Sequence, residues 1–170
     1  MTDHSEVKDT KTIKIHVASK TMSIAEAQRT VESSGTWFWW IAGLSAVNSI
    51  AVMLKLQYSM LLGLGIGQII DAIFLSMTAD PSMLARGFHI ALSASVAGIF
   101  VTLGYYARRF SSKAFVIGII LYALDALIFV FTGDWVAVGF HGFVLFMLWG
   151  GFSVLSALQA QIPNNVRTLA

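Results

Sequence analysis

Four ionisable side chains inside apolar segments are the residues of this sequence best placed to do chemistry. They are two aspartates and two histidines, Asp71, His89, Asp125 and His141. An ionisable group in a membrane span costs roughly 2.5–3.5 kcal/mol, so it usually faces protein or water and marks function. Two carboxylates and two imidazoles offer an N₂O₂ set for a divalent metal ion such as zinc, iron or manganese, or a proton relay. The sequence therefore predicts an intramembrane Asp/His site that binds a cation or handles protons.

The spacing of these residues indicates that a helical hairpin is duplicated. The matched positions are Asp71 with Asp125, Thr78 with Thr132, Asp80 with Asp134 and, after a two-residue gap, Gly87-Phe88-His89 with Gly139-Phe140-His141. Beyond residue 34, every acidic residue and every histidine lies at such a repeated position. Repeat A (58–107) and repeat B (114–158) are predicted to be parallel copies about an axis along the membrane normal. We expect the copies to turn their acids and imidazoles toward one shared pocket.

Other interpretations of the same residues stay open. A buried Asp–His hydrogen bond can simply latch two helices, and the chain is then a non-catalytic scaffold or accessory subunit of a membrane complex. His89 and His141, at equal depth, are alternatively the axial ligands of one b-type haem in a redox subunit. An enzyme is the poorer interpretation, because no nucleophile is repeated beside the pairs. Asp80 and Asp134 lie in turn sequences and are assigned to turns or helix caps.

Composition places these residues in a membrane protein. Hydrophobic residues make up 56% of the chain and charged residues only 12%, with a mean hydropathy of +0.74. Soluble domains carry roughly 25% charged residues, so lipid is the expected solvent. Because lipid requires internal backbone hydrogen bonds, the predicted fold is all-α, a polytopic membrane bundle of five transmembrane helices whose last four form a tandem duplication of a helical hairpin. The predicted spans are 36–54, 58–77, 87–107, 114–132 and 135–158.

Two polar tails flank the predicted transmembrane domain at 35–160. In the N-terminal tail, 1–34, Thr12–Val17 alternates like a strand, but a lone strand has no sheet to join, so residues 1–21 are expected to be mobile. Ser23 and Glu26 match a capping box that opens a short helix near 23–31. This tail is the surface predicted for a protein partner, and residues 161–170 form the C-terminal tail. A net charge of +2 without a basic run excludes nucleic acid as a partner.

The distribution of basic residues predicts the orientation. Five antiparallel spans place the termini on opposite faces. Basic residues of the connections then fall mainly on the C-terminal side, which holds Lys55, Arg108, Arg109, Lys113 and Arg167, while Arg86 lies on the N-terminal side. The positive-inside rule therefore favours an N-terminus outside, in a membrane of the bacterial inner-membrane type. The Asp/His site is expected in the half of the membrane nearer the N-terminal side.

Small and polar residues within the spans predict how the helices pack. Gly67 and Asp71 share one helical stripe, which predicts close approach of a neighbouring helix and aims the aspartate inward. Gly98 and Gly150 are interpreted as the same device in later spans. Asn48, in the middle of the first span, is expected to form a hydrogen bond across the bundle.

Overall fold

The computed structural model shows five α-helices preceded by a small β-hairpin. It describes residues 14–17, 20–54, 64–77 and 83–161. The elements are β1 (Lys14–Val17), β2 (Lys20–Ser23), α1 (Ile24–Met53), α2 (Gly65–Met77), α3 (Met83–Arg108), α4 (Ser112–Thr132) and α5 (Trp135–Gln161). The prediction of an all-α fold with five helices is confirmed.

The first helix begins at the predicted capping box but does not end where the sequence suggested. The Ser23 hydroxyl accepts a hydrogen bond from the Glu26 backbone N–H, and the Glu26 carboxylate accepts one from the Ser23 N–H at 2.8 Å. The helix then continues through Ser34 and Gly35, which are buried against α5 and α3. Because tertiary packing overrides the weak helix propensity of these two residues, the short helix and the first span are one element.

The N-terminal segment contains a docked hairpin, which corrects the expectation of a mobile tail without a sheet. Lys14–Val17 pairs antiparallel with Lys20–Ser23. Ile15 is 1% exposed, within the core. The Gln161 side chain, at the end of α5, accepts a hydrogen bond from the His16 N–H at 3.0 Å and donates one to the His16 carbonyl at 2.7 Å. The second strand escaped notice because its polar residues lack an alternating apolar pattern.

Contacts between the helices fix their directions. The Trp39 indole N–H donates to the Val101 carbonyl, and Gly35 packs against Arg108, so α1 runs antiparallel to α3. Near the beginning of α1, Ser34 lies against Gly151 in the last three turns of α5, so these two helices are also opposed. We call the face where α1 begins and α3 and α5 end the terminal face. The face where α1, α2 and α4 end is the far face.

Helix α2 is a half-length helix that begins inside the bundle. Its 13 residues extend ~20 Å, less than a ~30 Å membrane core, whereas the other four helices are long and apolar enough to cross. It runs in the same general direction as α1, because Gly67 faces Ser45 and Asp71 contacts Asn48. It therefore starts after Leu64, which is 1% exposed, and ends at the far face beside α1.

These directions correct the predicted topology. The sequence predicted a complete antiparallel second span over 58–77, of which residues 58–63 lie outside the described part of the chain. With four long helices alternating in direction, the β-hairpin and the end of α5 lie on the same face, as the bonds between His16 and Gln161 require. The error arose because hydropathy counts apolar residues and does not distinguish a full span from a half helix.

Glycine packing agrees with the prediction at one position and differs at two. A Cβ added to Gly67 would lie 3.2 Å from the Ser45 hydroxyl, so close approach is confirmed there. No atom of the described residues lies within 4 Å of a Cβ added to Gly98 or Gly150, so the same interpretation was wrong for both. Among the described residues, glycines are closely packed at Gly151, against Ser34, and at Gly118, where the buried Phe38 ring occupies the adjacent space.

The turn between α4 and α5 has the predicted helix cap. Asp134 accepts a hydrogen bond from the Ala137 backbone N–H at 3.1 Å. Gly133 ends α4 with a φ of 75°, a left-handed conformation that glycine adopts without the steric cost of a Cβ. The cap assigned to Asp134 is confirmed, and its repeated counterpart Asp80 lies outside the described residues.

Candidate functional site

The first Asp–His pair, Asp71 with His89, joins α2 to α3. The Asp71 Oδ1 atom lies 2.7 Å from His89 Nε2, and Oδ2 accepts a hydrogen bond from Asn48 Nδ2 at 3.2 Å. Asp71, His89 and Asn48 are between 2% and 3% exposed. Phe74, one turn beyond Asp71, stacks on the imidazole with a centroid distance of 4.4 Å. The predicted hydrogen bond of Asn48 across the bundle is confirmed, and it ends on the aspartate.

The second pair, Asp125 with His141, joins α4 to α5 and also to the start of α2. The Asp125 Oδ2 atom lies 3.1 Å from His141 Nε2. Oδ2 also accepts from the Gly65 N–H at 2.8 Å, and Oδ1 accepts from the Ile66 N–H at 2.9 Å. His141 Nδ1 lies 2.8 Å from the Ala137 carbonyl oxygen. Both ring nitrogens and both carboxylate oxygens of the second pair therefore have partners.

The Asp125 carboxylate caps a helix to which it does not belong. The first N–H groups of a helix have no partner within that helix, and the side chain of Leu64 offers no acceptor. Because α2 starts inside an apolar bundle, its first donors need partners from the protein. The positive end of the helix dipole also favours an anion at this point. Gly65 permits the approach, since a Cβ there would lie 3.0 Å from the Phe129 ring.

Hydrogen-bond geometry fixes how many protons the second pair holds. The ring nitrogens of His141 face two oxygen atoms, one of the Ala137 carbonyl and one of the Asp125 carboxylate. The contact with the carbonyl needs a proton on Nδ1, and the contact with the carboxylate needs one between Nε2 and Oδ2. The pair therefore holds two protons and carries no net charge. Charge neutrality and complete hydrogen bonding are what burial in an apolar bundle requires.

The first pair is chemically incomplete by comparison. Among the described residues, His89 Nδ1, Asn48 Oδ1 and the hydroxyls of Ser49 and Ser93 are buried without a hydrogen-bond partner. An unpaired polar group of this kind costs about 1–3 kcal/mol. Ser93 lies one turn beyond His89 on α3, whereas the aligned position beyond the second histidine is Leu145. The two pairs thus share their reactive groups and differ in their surroundings.

Both pairs lie at similar depth below the far face. Asp71 is six residues before the end of α2, and His89 is six residues after the start of α3, a helix length of ~9 Å in each case. Asp125 and His141 lie seven residues before the end of α4 and six after the start of α5. The predicted equal depth of the two pairs is confirmed. Both pairs lie nearer the far face, however, whereas the sequence predicted the face that carries the N-terminus.

The four predicted ligands form two separate pairs and not one set. Each aspartate contacts the histidine that the alignment assigns to it, and the duplication itself stays a prediction. Within the described ranges, no group of three or more His, Cys, Asp or Glu side chains is arranged to hold a metal ion. Both ring nitrogens of His141 are already engaged, so ligation of a haem by this histidine would require it to lose its bond to Asp125 or to the Ala137 carbonyl. The arrangement therefore does not support a single N₂O₂ metal site or a haem shared by His89 and His141.

Three residues of these sites were not found from the sequence. Ser93 and Tyr122 each lie one helical turn from a predicted site residue, a spacing that places them on the same helix face. Tyr122 stacks on the second imidazole, with ring centroids 4.4 Å apart. Gly65 gave no signal, because the start of α2 is hidden in a continuous apolar segment. The spacing of one helical turn from a predicted site residue was therefore the sequence signal that could have identified Ser93 and Tyr122.

The fold and the pairs define the class of protein. The chain is an integral membrane protein of the all-α type, by the length and composition of its four long apolar helices, with two buried Asp–His pairs. Comparison with family models, with curated proteins and with solved structures gives no match.

Proposed function

We propose that this membrane protein exchanges a proton at the Asp71–His89 pair, and that the Asp125–His141 pair is a structural latch for α2. One observation carries the proposal. The two pairs contain the same groups, but among the described residues His89 Nδ1 is unpaired in the first, whereas both ring nitrogens and both carboxylate oxygens of the second have partners. A latch gains most when every polar atom is paired, as in the second pair. A site that takes up and releases a proton needs an atom that can gain a partner, and His89 Nδ1 is such an atom.

A proton suits the first pair better than a metal ion does. One carboxylate and one imidazole supply two ligands, whereas protein sites for zinc use three or four. Imidazole binds or releases a proton near neutral pH more readily than any other side chain. The unpaired oxygen of Asn48, which donates to Asp71, and the hydroxyl of Ser93, one turn beyond His89, can hold water molecules that carry the proton to His89.

Proton exchange at this site is proposed to take place from the far face alone. His89 lies ~9 Å of helix from that face, whereas most of α3 separates it from the terminal face. Toward the terminal face, the buried side chains of the described residues that carry a polar group are serines, such as Ser34 and Ser45, and the phenol of Tyr122. Serines and a tyrosine hydroxyl do not form a relay of titratable groups across the membrane. One-sided exchange fits a sensor or an accessory subunit better than a transporter.

We also propose the orientation opposite to the one predicted from the sequence, with the N-terminus inside. Arg108, Arg109 and Lys113 flank the short connection at the terminal face, whereas Arg86 lies in the first turn of α3 at the far face. The positive-inside rule then places the terminal face, with the β-hairpin, in the cytoplasm. The first pair would exchange its proton with the opposite compartment.

Exchange of the ring protons with deuterium tests the proposal directly. The chain has four histidines, so ¹⁵N-labelled histidine in lipid nanodiscs gives a spectrum that single variants can assign. We expect the His89 ring protons to exchange faster than those of His141 by roughly tenfold or more, because Nδ1–H of His141 is held by a hydrogen bond. His141 serves as the matched internal control.

Equal exchange rates would contradict the proposal. The first pair would then be a second latch, and a scaffold or accessory subunit without proton chemistry would explain the chain better. Asp71→Asn provides a further check. It should alter the His89 signals and leave those of His141 in place, because Asp71 contacts His89 whereas the aspartate that contacts His141 is Asp125.

A further inference from the structure

A groove between α3 and α4 reaches the Asp125 carboxylate from the lipid side. Its volume is about 300 Å³, and seven apolar side chains and this one carboxylate line it among the described residues. Ile99 and Leu124, on its two walls, are 50% and 56% exposed, so the groove opens on the outer surface of the bundle. Both residues lie well inside their helices, where the surrounding medium is hydrocarbon. The groove is therefore accessible to lipid-soluble molecules.

The carboxylate at the base of the groove has room for one more hydrogen-bond donor. Each carboxylate oxygen has two acceptor positions. Those of Oδ2 are used by the Gly65 N–H and by His141 Nε2, whereas Oδ1 accepts only from the Ile66 N–H. The remaining position on Oδ1 belongs to a residue that lines the groove. A ligand with a single donor group could therefore add a second hydrogen bond to Oδ1, which already has one partner.

Charge selects the kind of donor. The second pair carries no net charge, and the positive end of the α2 dipole lies against it, so an ammonium group gains little there. An anion offers no donor to the carboxylate, and the apolar walls would leave its own acceptors unpaired. A neutral hydroxyl group has neither disadvantage, and apolar walls suit a hydrocarbon body.

We propose that the α3–α4 groove binds a neutral lipid-soluble alcohol or phenol, whose hydroxyl donates to Asp125 Oδ1. The apolar body of the ligand lies between Ile99 and Leu124. The site is separate from the Asp71–His89 pair and does not depend on proton exchange there.

Photolabelling in nanodiscs tests this site. The probe is a long-chain primary alcohol with a diazirine in its chain, and the comparison compound is its methyl ether, which has the same body and no donor. We expect the alcohol to label the groove residues of α3 and α4 about five-fold more than the ether does, the ratio for one net hydrogen bond. Ile99→Trp should fill the groove and abolish most of the labelling. Val101→Trp is the matched control, because Val101 is 48% exposed on the same helix and does not line the groove.

Two results would overturn the proposal. One is equal labelling by the alcohol and the ether, which would mean that the groove holds hydrocarbon without recognising a hydroxyl. The other is the same loss of labelling in both tryptophan variants. If a tryptophan variant does not fold, the comparison of the two compounds on the unaltered protein still decides between binding and mere contact with lipid.

Discussion

Replacement of Asp125 by asparagine is the most informative perturbation of the latch. Three donors converge on this carboxylate: the Gly65 N–H, the Ile66 N–H and His141 Nε2. An asparagine side chain offers one acceptor oxygen and turns its NH₂ group toward at least one of those donors. At least one buried donor therefore loses its partner, at a cost of about 1–3 kcal/mol. Loss of the negative charge from the start of α2 adds about 0.3–1 kcal/mol.

The expected total for Asp125→Asn is a destabilisation of about 1.3–4 kcal/mol. The same change at Asp71 should cost about 1–2 kcal/mol, because only His89 and Asn48 donate there and the unpaired atoms nearby can rearrange. Both variants conserve side-chain volume, so a cavity does not contribute. The pair of substitutions thus separates capping of α2 from loss of an Asp–His contact.

Unfolding in mixed micelles with increasing fractions of a denaturing detergent measures both variants on one scale. Asp134→Asn is the control, since it alters an aspartate cap at the surface of the bundle and should cost about 1 kcal/mol or less. The reasoning is refuted if Asp125→Asn destabilises the protein no more than Asp71→Asn does. That result would mean that the start of α2 does not depend on the second pair.

Two further predictions concern packing and topology. Gly65→Ala should destabilise the protein by about 1–2 kcal/mol, because its Cβ would lie 3.0–3.2 Å from Phe129 and Ile128, whereas Gly98→Ala, with nothing within 4 Å, should be neutral or slightly stabilising in the same unfolding assay. The chain has no cysteine, so single cysteines report topology. His16→Cys and Arg109→Cys should react with a membrane-impermeant thiol reagent from one side, and Thr132→Cys should react from the other. Reaction of His16→Cys and Thr132→Cys from the same side would instead support the five-span topology.

The pairing of aspartate with histidine was accessible from the sequence, because it depends on two readable quantities. Ionisable residues are conspicuous in an apolar segment, and helix length converts residue position into depth. The alignment of Asp71 with Asp125 and of His89 with His141 therefore predicted the correct partners. The capping box at Ser23 was equally local. A pattern of four residues specifies it without reference to the rest of the fold.

The direction of α2 and the separation of the two pairs were not accessible. Hydropathy over 58–77 is the same whether the chain crosses the membrane or a helix begins partway, as at Gly65. The start of the helix at Gly65 depends on its hydrogen-bond acceptor, Asp125, which is distant in the sequence. The difference between the pairs likewise depends on neighbours such as Asn48 and Ser93, whose relation to the histidine emerges only after the helices have packed.

The cap on α2 has a consequence for the order of assembly during synthesis. Asp125 follows Gly65 by 60 residues, so the ribosome has produced α2 and α3 before the group that completes α2 exists. Until α4 enters the membrane, the Gly65 and Ile66 N–H groups must donate to water or to a chaperone. A nascent chain that stops after α3 is therefore an assembly intermediate, because the start of α2 still lacks its acceptor. Closure of the hairpin on Gln161, 145 residues from His16, comes later still. Completion of the fold thus depends on the last two helices, α4 and α5. A truncation near the C-terminus is therefore expected to impair α2 and the β-hairpin, which lie much earlier in the sequence.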